Sequence, residues 1–331
     1  MHVDRRDLLK LLAAGALAPA LPLRAREPDS YPSPDREVMA PVPGGRVYVR
    51  VNGDLAGPRP PLIVAHGGPG GTHASNLPLT ALADERAVIL YDQLDSGRSE
   101  HPNNRANWRV DRFVDELPAI ARALGVNRWH MMGHSWGGTV ALEYGARRPA
   151  ELAGLILASP LVSTKSWIAD ADALRSQLPA DIQATLRACD PPAELTPACE
   201  PATEEFYRRF NRRVPPSAAI RTYAERQSGR GFNRDLYQTM WGSSEFVATG
   251  TLKDYDGEPQ LAKLDGQRTL FIVGQYDEAR PVTNAAFAAR VAGAEFAVVP
   301  GAAHGIVTDR PDETLGLLRP WLARQDAVAR L

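Results

Sequence analysis

The stretch WHMMGHSWGG, Trp129–Gly138, decides the fold of this chain. An apolar run ends at His134 and small residues follow Ser135, so we expect a strand to turn sharply into a helix at this point. The spacing G-x-S-x-G is typical of a nucleophilic serine on such a turn, because the glycines leave room for the tight backbone. Ser135 would then project near a helix N-terminus, which favours developing negative charge. The five-residue pattern alone arises by chance in roughly a tenth of chains of this length, so its context has to support it.

Short apolar runs predict the strands of a mostly parallel central sheet. Alternating apolar and polar residues in Glu37–Val42 and Arg46–Asn52 predict an antiparallel hairpin before them. Helical spacing is clear in Val110–Leu124 and again in Pro311–Arg324. Strands that alternate with helices indicate an α/β fold with both sheet faces covered. The predicted buried strands are Pro61–Ala65, Ala87–Tyr91, Trp129–Met132, Gly154–Ala158, Leu270–Val273 and Phe296–Val299.

The pattern changes in the middle of the chain. From 163 to 248, helical, charged and proline-broken segments replace the buried strands. We interpret this part as an inserted helical cap, and residues 37–162 and 249–331 as the α/β core that it interrupts. The strand pattern returns at Leu270, which supports one core domain with an insertion.

Composition and cysteine content limit the partners. The chain carries 38 basic and 39 acidic residues, a formal net charge of −1 and no basic stripe, so nucleic acid is not an expected partner. Cys189 and Cys199 are the two cysteines. They would pair in an oxidising compartment or otherwise remain free thiols. Their spacing, without a nearby histidine, does not indicate a metal site.

The N-terminus reads as a targeting segment. Asp4–Lys10, DRRDLLK, resembles a twin-arginine export signal, and an Ala- and Leu-rich run follows it. That run is too short to span a membrane comfortably, so no membrane association is expected in the mature form. We interpret residues 1–26 as the signal peptide and 27–36 as a linker, with an amphipathic helix as the alternative. The twin-arginine machinery would then deliver the protein to the periplasm or outside the cell.

Chain order selects the partners of Ser135. At this type of turn the nucleophile is followed by Asp or Glu and then by His. Of the seven histidines, His304 alone lies after Ser135, and it sits in a Gly/Ala loop behind a predicted strand. Asp277 follows the strand run LFIV and is the expected acid, with its neighbour Glu278 as the local competitor. Three other aspartates precede that strand and fit less well: Asp254, Asp256 and Asp265.

Chemistry assigns the expected roles. His304 would take the Ser135 proton and return it to the leaving group, while Asp277 would fix the imidazole tautomer. An oxyanion hole needs two backbone amides, which we expect from Trp136 and from Gly68 in the turn HGGPG. Without the serine pattern, that turn would be read simply as a tight end to a strand.

Five motifs together resemble the proline iminopeptidase family of α/β-hydrolases. The similarity runs through almost all of residues 37–325, and it implies the α/β-hydrolase fold. Members of this family remove an N-terminal residue, preferably proline, from peptides, close relatives hydrolyse amino-acid amides, and no cofactor is used. The motifs are HGGPG at His66–Gly70, DQLDSGRS at Asp92–Ser99, GHSWGG at Gly133–Gly138, GSSEF at Gly242–Phe246 and YDEARP at Tyr276–Pro281.

The resemblance also implies how a free amine is recognised. Family members place two carboxylates near the substrate ammonium, and these match Glu245 and Glu278 here. A buried ammonium needs an anionic partner, and N-blocked substrates would leave the carboxylates unpaired. Without the motif match, Glu245 would be read as a solvated cap residue and Glu278 as part of a surface loop.

Departures from the family leave the preferred N-terminal residue open. Asp95 stands where many relatives have glycine, GSSEF replaces GPSEF, and Phe206–Val214 lacks the family's common His and Cys. An amino-acid amidase, an esterase or a lactonase on the same scaffold is the alternative activity, and a non-catalytic binding protein is the third hypothesis. Three cap aromatics are candidates for the pocket or for the cap core: Tyr237, Trp241 and Phe246.

Overall fold

An eight-stranded sheet forms the centre of the computed structural model, which describes residues 30–191, 196–227 and 229–328. The predicted signal peptide lies outside the described residues. The strand order is β1-β2-β4-β3-β5-β6-β7-β8, with β1–β2 and β2–β4 antiparallel and the other pairs parallel. The strands are β1 Arg36–Val42, β2 Gly45–Asn52, β3 Leu62–Ala65, β4 Val88–Tyr91, β5 Trp129–His134, β6 Leu152–Ala158, β7 Thr269–Gly274 and β8 Glu295–Val299.

The middle strands are apolar because helices cover both faces of the sheet. All residues of β3, β4 and β7 are buried. Two apolar clusters, one on each face, contain alternate residues of the same strand, such as Ile63 in one and Val64 in the other. The predicted α/β-hydrolase-type sheet with its N-terminal hairpin is therefore confirmed.

Eleven α-helices are present in the described part of the chain. The predicted helix over Val110–Leu124 is in fact two helices, α1 and α2, which meet at Asp115. Pro118 has no amide hydrogen to bond the Val114 carbonyl, so the continuous ladder is lost there. The helices are α1 Val110–Val114, α2 Glu116–Leu124, α3 Trp136–Ala146, α4 Thr164–Arg175, α5 Ala180–Ala188, α6 Cys199–Phe210, α7 Ala218–Gln227, α8 Arg234–Met240, α9 Pro281–Ala289, α10 Ile306–Asp309 and α11 Pro311–Val328.

Helices α4 to α8 lie between β6 and β7 and are called the helical insertion below. Part of the insertion has its own apolar cluster, in which the Phe206 ring packs against Phe210 and Phe246. A disulfide joins Cys189 and Cys199 at the start of α6. No helix among the described residues is long and apolar enough to cross a membrane.

The sheet topology determines where chemistry can occur. Parallel strands β3 to β8 bring their carboxyl ends to one edge, where ligands bind in open α/β sheets. The loops that follow β3, β5, β7 and β8 carry the HGGPG turn, Ser135, Asp277 and His304 respectively. Residues far apart in sequence therefore meet at this edge.

Candidate active site

Ser135 occupies the sharp turn between β5 and α3. Its backbone has φ 58° and ψ −122°, a left-handed conformation that non-glycine residues adopt only when the surroundings impose it. A Cβ on Gly133 would lie 2.0 Å from the Gly137 carbonyl oxygen, and one on Gly137 would lie 2.3 Å from the Ala65 oxygen. Both glycines of G-x-S-x-G are therefore required by close packing of the turn, as the sequence predicted.

His304 and Asp277 meet across the ends of β8 and β7. The His304 Nδ1 donates to the Asp277 Oδ1 at 2.9 Å, and both side chains are buried. The Asp277 carboxylate also accepts hydrogen bonds from the backbone amides of Gly274 at 3.0 Å and Ala279 at 2.9 Å. The acid at Nδ1 is thus Asp277, while Glu278 lies on the other side of the ring.

Ser159 completes the surroundings of Asp277 and was not predicted. It follows β6, has φ 48°, and donates its hydroxyl to the Asp277 Oδ2 at 2.5 Å. With this bond, all four lone-pair directions of the Asp277 carboxylate are used. The carboxylate is held in one orientation, with Oδ1 directed to His304.

A cavity of about 700 Å³ opens between the sheet edge and the helical insertion. Ser135 and His304 both line it, and Asp277 lies behind His304, so the three predicted residues are brought together. Several predicted and unpredicted residues share the wall: Gly67, Gly68, His134, Tyr207, Asn211, Tyr237 and Glu245.

The two candidate oxyanion donors lie beside Ser135. Trp136 is the first residue of α3, where a backbone amide has no acceptor within the helix. Gly68 lines the cavity with φ +122°, a conformation that requires glycine, and a Cβ on the preceding Gly67 would lie 3.0 Å from the Ser135 Cβ. The glycines let this turn approach the serine closely.

Glu278 is a buried carboxylate beside His304. Its Oε1 lies 3.8 Å from the His304 Nε2 and accepts a hydrogen bond from the Asn211 side chain at 2.6 Å. Its Oε2 has no hydrogen-bond partner among the described residues. Burial raises the pKa of Glu278 well above its usual value. The positive charge of His304 opposes this rise, and the negative charge of Glu245 adds to it.

Glu245 reaches the same cavity from the helical insertion. Its Oε1 accepts a hydrogen bond from Tyr237 at 2.8 Å, and its backbone amide donates to the Tyr207 hydroxyl at 3.2 Å. Burial raises the pKa of Glu245, while His304 and Tyr237 oppose that rise. The two predicted carboxylates therefore come from separate parts of the chain: Glu245 lines the cavity, and Glu278 is buried beside His304, which also lines it.

Charge around His304 decides its protonation. Burial alone would lower the pKa of His304, but Asp277, Glu278 and Glu245 outweigh it and raise that pKa to about 9. His134 packs against His304, with the centroids of the two imidazole rings 4.8 Å apart. The His134 Nε2 also donates a hydrogen bond to the His304 carbonyl oxygen at 2.8 Å. Burial, and then repulsion by His304, lowers the pKa of His134 to about 4, so His134 is neutral at physiological pH.

The backbone at the end of α6 fastens the helical insertion to both catalytic loops. The Phe210 carbonyl accepts hydrogen bonds from the amides of Glu278 and His304, at 3.0 and 3.1 Å. The Asn211 carbonyl accepts one from Gly305 at 2.9 Å. The insertion therefore contributes directly to the positions of the histidine and the buried glutamate.

One of the sequence departures, Asp95, has a structural explanation. Asp95 accepts hydrogen bonds from the Asn103 amide at 2.7 Å and the Trp108 indole at 2.8 Å, so it orders a loop outside the cavity. Of the three cap aromatics left open, Tyr237 lines the cavity. Trp241 and Phe246 do not line it and pack in apolar clusters.

Reasoning from the sequence missed Ser159, His134 and Asn211. Ser159 could have been suspected, because it directly follows β6, the strand after the serine turn, and so lies at the carboxyl ends of the parallel strands. His134 lies inside the quoted motif but was read only as the end of a strand. No sequence signal marks Asn211, because its role depends on where α6 ends.

These features define an α/β-hydrolase with the site of a serine hydrolase. A family model described as the alpha/beta hydrolase fold matches residues 60–311. The proline iminopeptidase of Heyndrickxia coagulans is 36% identical over 282 residues, which are 85% of this chain and 96% of that protein. That of Levilactobacillus brevis is 31% identical over 296 residues, 88% of this chain and 98% of that protein.

Solved structures agree with the sequence relatives. The crystal structure of a proline iminopeptidase from Mycobacterium smegmatis superposes with a TM-score of 0.80 and 33% identity, covering 89% of this chain and all of that one. The chain therefore belongs to the proline iminopeptidase family, and the resemblance inferred from its five motifs is confirmed.

Proposed function

We propose that this protein is an exported serine aminopeptidase that releases an N-terminal residue, preferably proline, from short peptides or amino-acid amides. The observation that carries the proposal is that two kinds of group meet at the cavity. Ser135 and the Asp277-bound His304 supply acyl-transfer chemistry, while Glu245 on the cavity wall and Glu278, buried beside His304, supply negative charge for a free amine. The identity of the relatives supports the preference for proline.

The proposed reaction proceeds through an acyl-enzyme. The Ser135 oxygen attacks the carbonyl carbon of the first residue while the His304 Nε2 accepts the serine proton. The resulting oxyanion is stabilised by the amides of Trp136 and Gly68. The imidazolium then donates its proton to the leaving amine, and the C–N bond breaks.

Water completes the cycle. His304 removes a proton from a water molecule, whose oxygen attacks the ester on Ser135. The ester bond breaks, the serine recovers its proton from His304, and the free N-terminal amino acid leaves. Asp277 keeps Nδ1 protonated throughout, so that Nε2 alone exchanges protons.

In the proposed complex the substrate ammonium lies between Glu245 and the Oε2 of Glu278, which has no hydrogen-bond partner among residues 30–191, 196–227 and 229–328. Such an ion pair is strong where water is excluded, and the buried Oε2 gains the hydrogen bond that it lacks. A substrate with a blocked N-terminus would leave both carboxylates unpaired. This supports a requirement for a free amine.

The proposal also covers the cellular location of the protein and the role of residues 163–248. The DRRDLLK segment supports export by the twin-arginine machinery to the periplasm or outside the cell, and the Cys189–Cys199 disulfide is a bond that persists in oxidising compartments. We propose that residues 163–248 act as the cap over the cavity. Replacing Arg5 and Arg6 by lysine should retain the protein in the cytoplasm, as measured by cell fractionation.

The deciding experiment compares release of a chromogenic amine from L-prolyl, L-alanyl and N-acetyl-L-prolyl arylamides. Wild-type protein should hydrolyse the free prolyl substrate fastest and the acetylated one negligibly, and Ser135→Ala should lose all these activities. Broad turnover of the free-amine substrates would instead indicate a general aminopeptidase or amidase. Ser135-dependent turnover of the blocked substrate would overturn the amine-recognition proposal and favour an esterase or lactonase.

Glu245→Gln and Glu278→Gln test the role of the carboxylates. Each should lower kcat/KM for the prolyl arylamide by roughly 10- to 100-fold, because a buried charge-assisted hydrogen bond is lost. Glu151→Gln is the matched control, since Glu151 also accepts a tyrosine hydroxyl, from Tyr144 at 2.8 Å, but lies away from the cavity. Its kcat/KM should remain within twofold of wild type.

A further inference from the structure

The Nε2 of His304 lies near a carboxylate as well as beside the cavity that Ser135 lines. Nδ1 is committed to Asp277, so Nε2 is the nitrogen that has to accept the Ser135 proton. The same Nε2 lies 3.8 Å from the Glu278 carboxylate. At this distance the carboxylate stabilises a proton on Nε2 by charge, without a hydrogen bond, and that proton would occupy the nitrogen that the reaction needs.

The charges that act most strongly on His304 are negative, although Arg234 and Arg212, which pairs with Glu204 at 3.6 Å, also line the cavity. Asp277 and Glu278 approach from the loop after β7, and Glu245 approaches from the helical insertion. His134, from the end of β5, is neutral and supplies no compensating charge. The two tyrosines beside the glutamates, Tyr207 and Tyr237, have pKa values raised by burial and also stay neutral.

The three carboxylates around His304 therefore stabilise a proton that these side chains would otherwise lose to solvent in the free enzyme. The carboxylates raise the pKa of His304 to about 9, and burial raises that of Glu278, so this group of side chains favours a bound proton. The Glu278 Oε2 is buried and has no hydrogen-bond donor in the part of the chain that the structure describes, and Oε1 accepts a hydrogen bond from Asn211.

We infer that the substrate's ammonium activates the enzyme by displacing a proton from the group formed by Glu245, Glu278 and His304. The inference rests on the proposed recognition of a free amine. As the ammonium pairs with the carboxylates, one proton leaves to solvent, and the Nε2 of His304 becomes free to accept the proton of Ser135. No covalent bond changes in this step, since one positive charge enters the site and one leaves.

This coupling makes the free amine part of catalysis as well as of binding. A reagent that attacks Ser135 but carries no amine meets a protonated His304 at neutral pH. A free-amine substrate removes that obstacle when it binds. Removing the charge of Glu278 should therefore have opposite effects on the two kinds of reaction.

The first test measures the rate at which an amine-free fluorophosphonate labels Ser135 between pH 6 and 10. In wild-type protein the rate should rise with a midpoint near pH 9, the pKa of His304 in the free enzyme. In Glu278→Gln the midpoint should fall by at least one unit, which raises the labelling rate at pH 7 about tenfold. The same variant should have the roughly 10- to 100-fold lower kcat/KM for the prolyl arylamide predicted above, and Glu151→Gln should change neither measurement.

Glu245→Gln is a second variant in case Glu278→Gln folds poorly, and its midpoint should also fall, by less. An unchanged midpoint in folded samples of both variants would overturn the inference. This outcome is distinct from failure of the proposed function. If wild-type protein hydrolysed only N-blocked substrates, the labelling midpoints would still report on the charges around His304.

The second test counts the protons released when L-prolinamide binds to Ser135→Ala. Titration calorimetry at pH 7.5, in two buffers with different heats of ionisation, gives the number directly. Between half a proton and one proton should be released per amine bound, and less than a third of that amount in Ser135→Ala combined with Glu278→Gln. Binding without proton release would contradict the inference.

Discussion

Two buried aspartate–histidine pairs lie at the active edge of the sheet, and only one of them opens onto the cavity. In the first, the His73 Nδ1 lies 2.7 Å from the Asp92 Oδ1, and in the second the His304 Nδ1 lies 2.9 Å from the Asp277 Oδ1. Both aspartates follow a parallel strand, and both accept two backbone amides. The two pairs therefore hardly differ in the Nδ1–Oδ1 distance or in the hydrogen bonds that the aspartate accepts.

The other nitrogen of each histidine makes the difference. The His73 Nε2 is 2.8 Å from the Tyr223 hydroxyl, which also accepts a hydrogen bond from Arg50 at 3.0 Å. This network joins helix α7 of the insertion to the sheet and leaves no free nitrogen. The His304 Nε2 has no such partner and lies beside the cavity. An aspartate–histidine pair therefore indicates chemistry only where the second nitrogen is open to a substrate.

The largest expected contrast between the pairs is in catalysis. Asp277→Asn should lower kcat for the prolyl arylamide on the order of 10³- to 10⁴-fold, because an amide side chain no longer fixes the His304 tautomer. Asp92→Asn should change kcat less than threefold in folded protein at 20 °C. Steady-state kinetics with active-site titration measure both. A similar loss of kcat in the two variants would remove the distinction between a catalytic and a structural pair.

The contrast should reverse for stability. His73→Ala leaves the Asp92 charge buried and unpaired, and should lower the free energy of unfolding by about 3 to 4 kcal/mol. His304→Ala should cost about 1 kcal/mol, because water from the cavity can replace the imidazole beside Asp277. Urea unfolding at pH 7.5 measures both values. Equal losses would mean that access to the cavity does not distinguish the pairs.

A smaller effect on stability is expected from Tyr223, whose hydroxyl is the partner of the His73 Nε2. Tyr223→Phe removes the hydroxyl shared by His73 and Arg50, and should cost about 1 to 2 kcal/mol with kcat unchanged. Tyr255→Phe is the control, since its hydroxyl donates to Glu143, which is partly exposed, and should cost less than about 0.5 kcal/mol. A loss of kcat in Tyr223→Phe would show that this network also positions the active site.

The order of residues along the chain was enough to select the catalytic histidine, although the His73–Asp92 pair itself was not predicted. Chain order required a histidine after Ser135, and that requirement removed His73 and left His304. The buried strands were equally predictable, because each is a short apolar run that ends where a loop begins. The order of the catalytic residues can be read directly from a single sequence. Strands that are buried on both faces can also be recognised there, because they are short apolar runs.

The remaining features depend on contacts between distant segments. Asn211 reaches Glu278 because α6 ends against the loop after β7, and Ser159 reaches Asp277 because β6 and β7 are neighbours in the sheet. The competition between Asp277 and Glu278 was open for the same reason. It was decided by which carboxylate meets Nδ1, and neighbouring residues in a loop give no sign of that in the sequence.

A third pair, outside the active edge, gives the smallest expected effect. The Asp326 Oδ1 lies 3.0 Å from the His130 Nε2, and Arg86 donates two hydrogen bonds to the same carboxylate. Burial would raise the pKa of Asp326, but His130 and Arg86 outweigh it and lower that pKa from 3.8 to about 2. The stabilisation is therefore present above about pH 4 and is lost as the pH falls through 2.

Asp326→Asn should accordingly cost about 1 to 2 kcal/mol at pH 7, a range reduced for partial solvation of the carboxylate, with kcat unchanged. At pH 3 the difference from wild type should shrink by about half, because unfolded Asp326 is then mostly protonated while the folded carboxylate is still ionised. Urea unfolding at the two pH values measures the change. A cost that did not depend on pH would assign the stabilisation to packing, and a loss of kcat would mean that an aspartate–histidine pair can serve catalysis without facing the cavity.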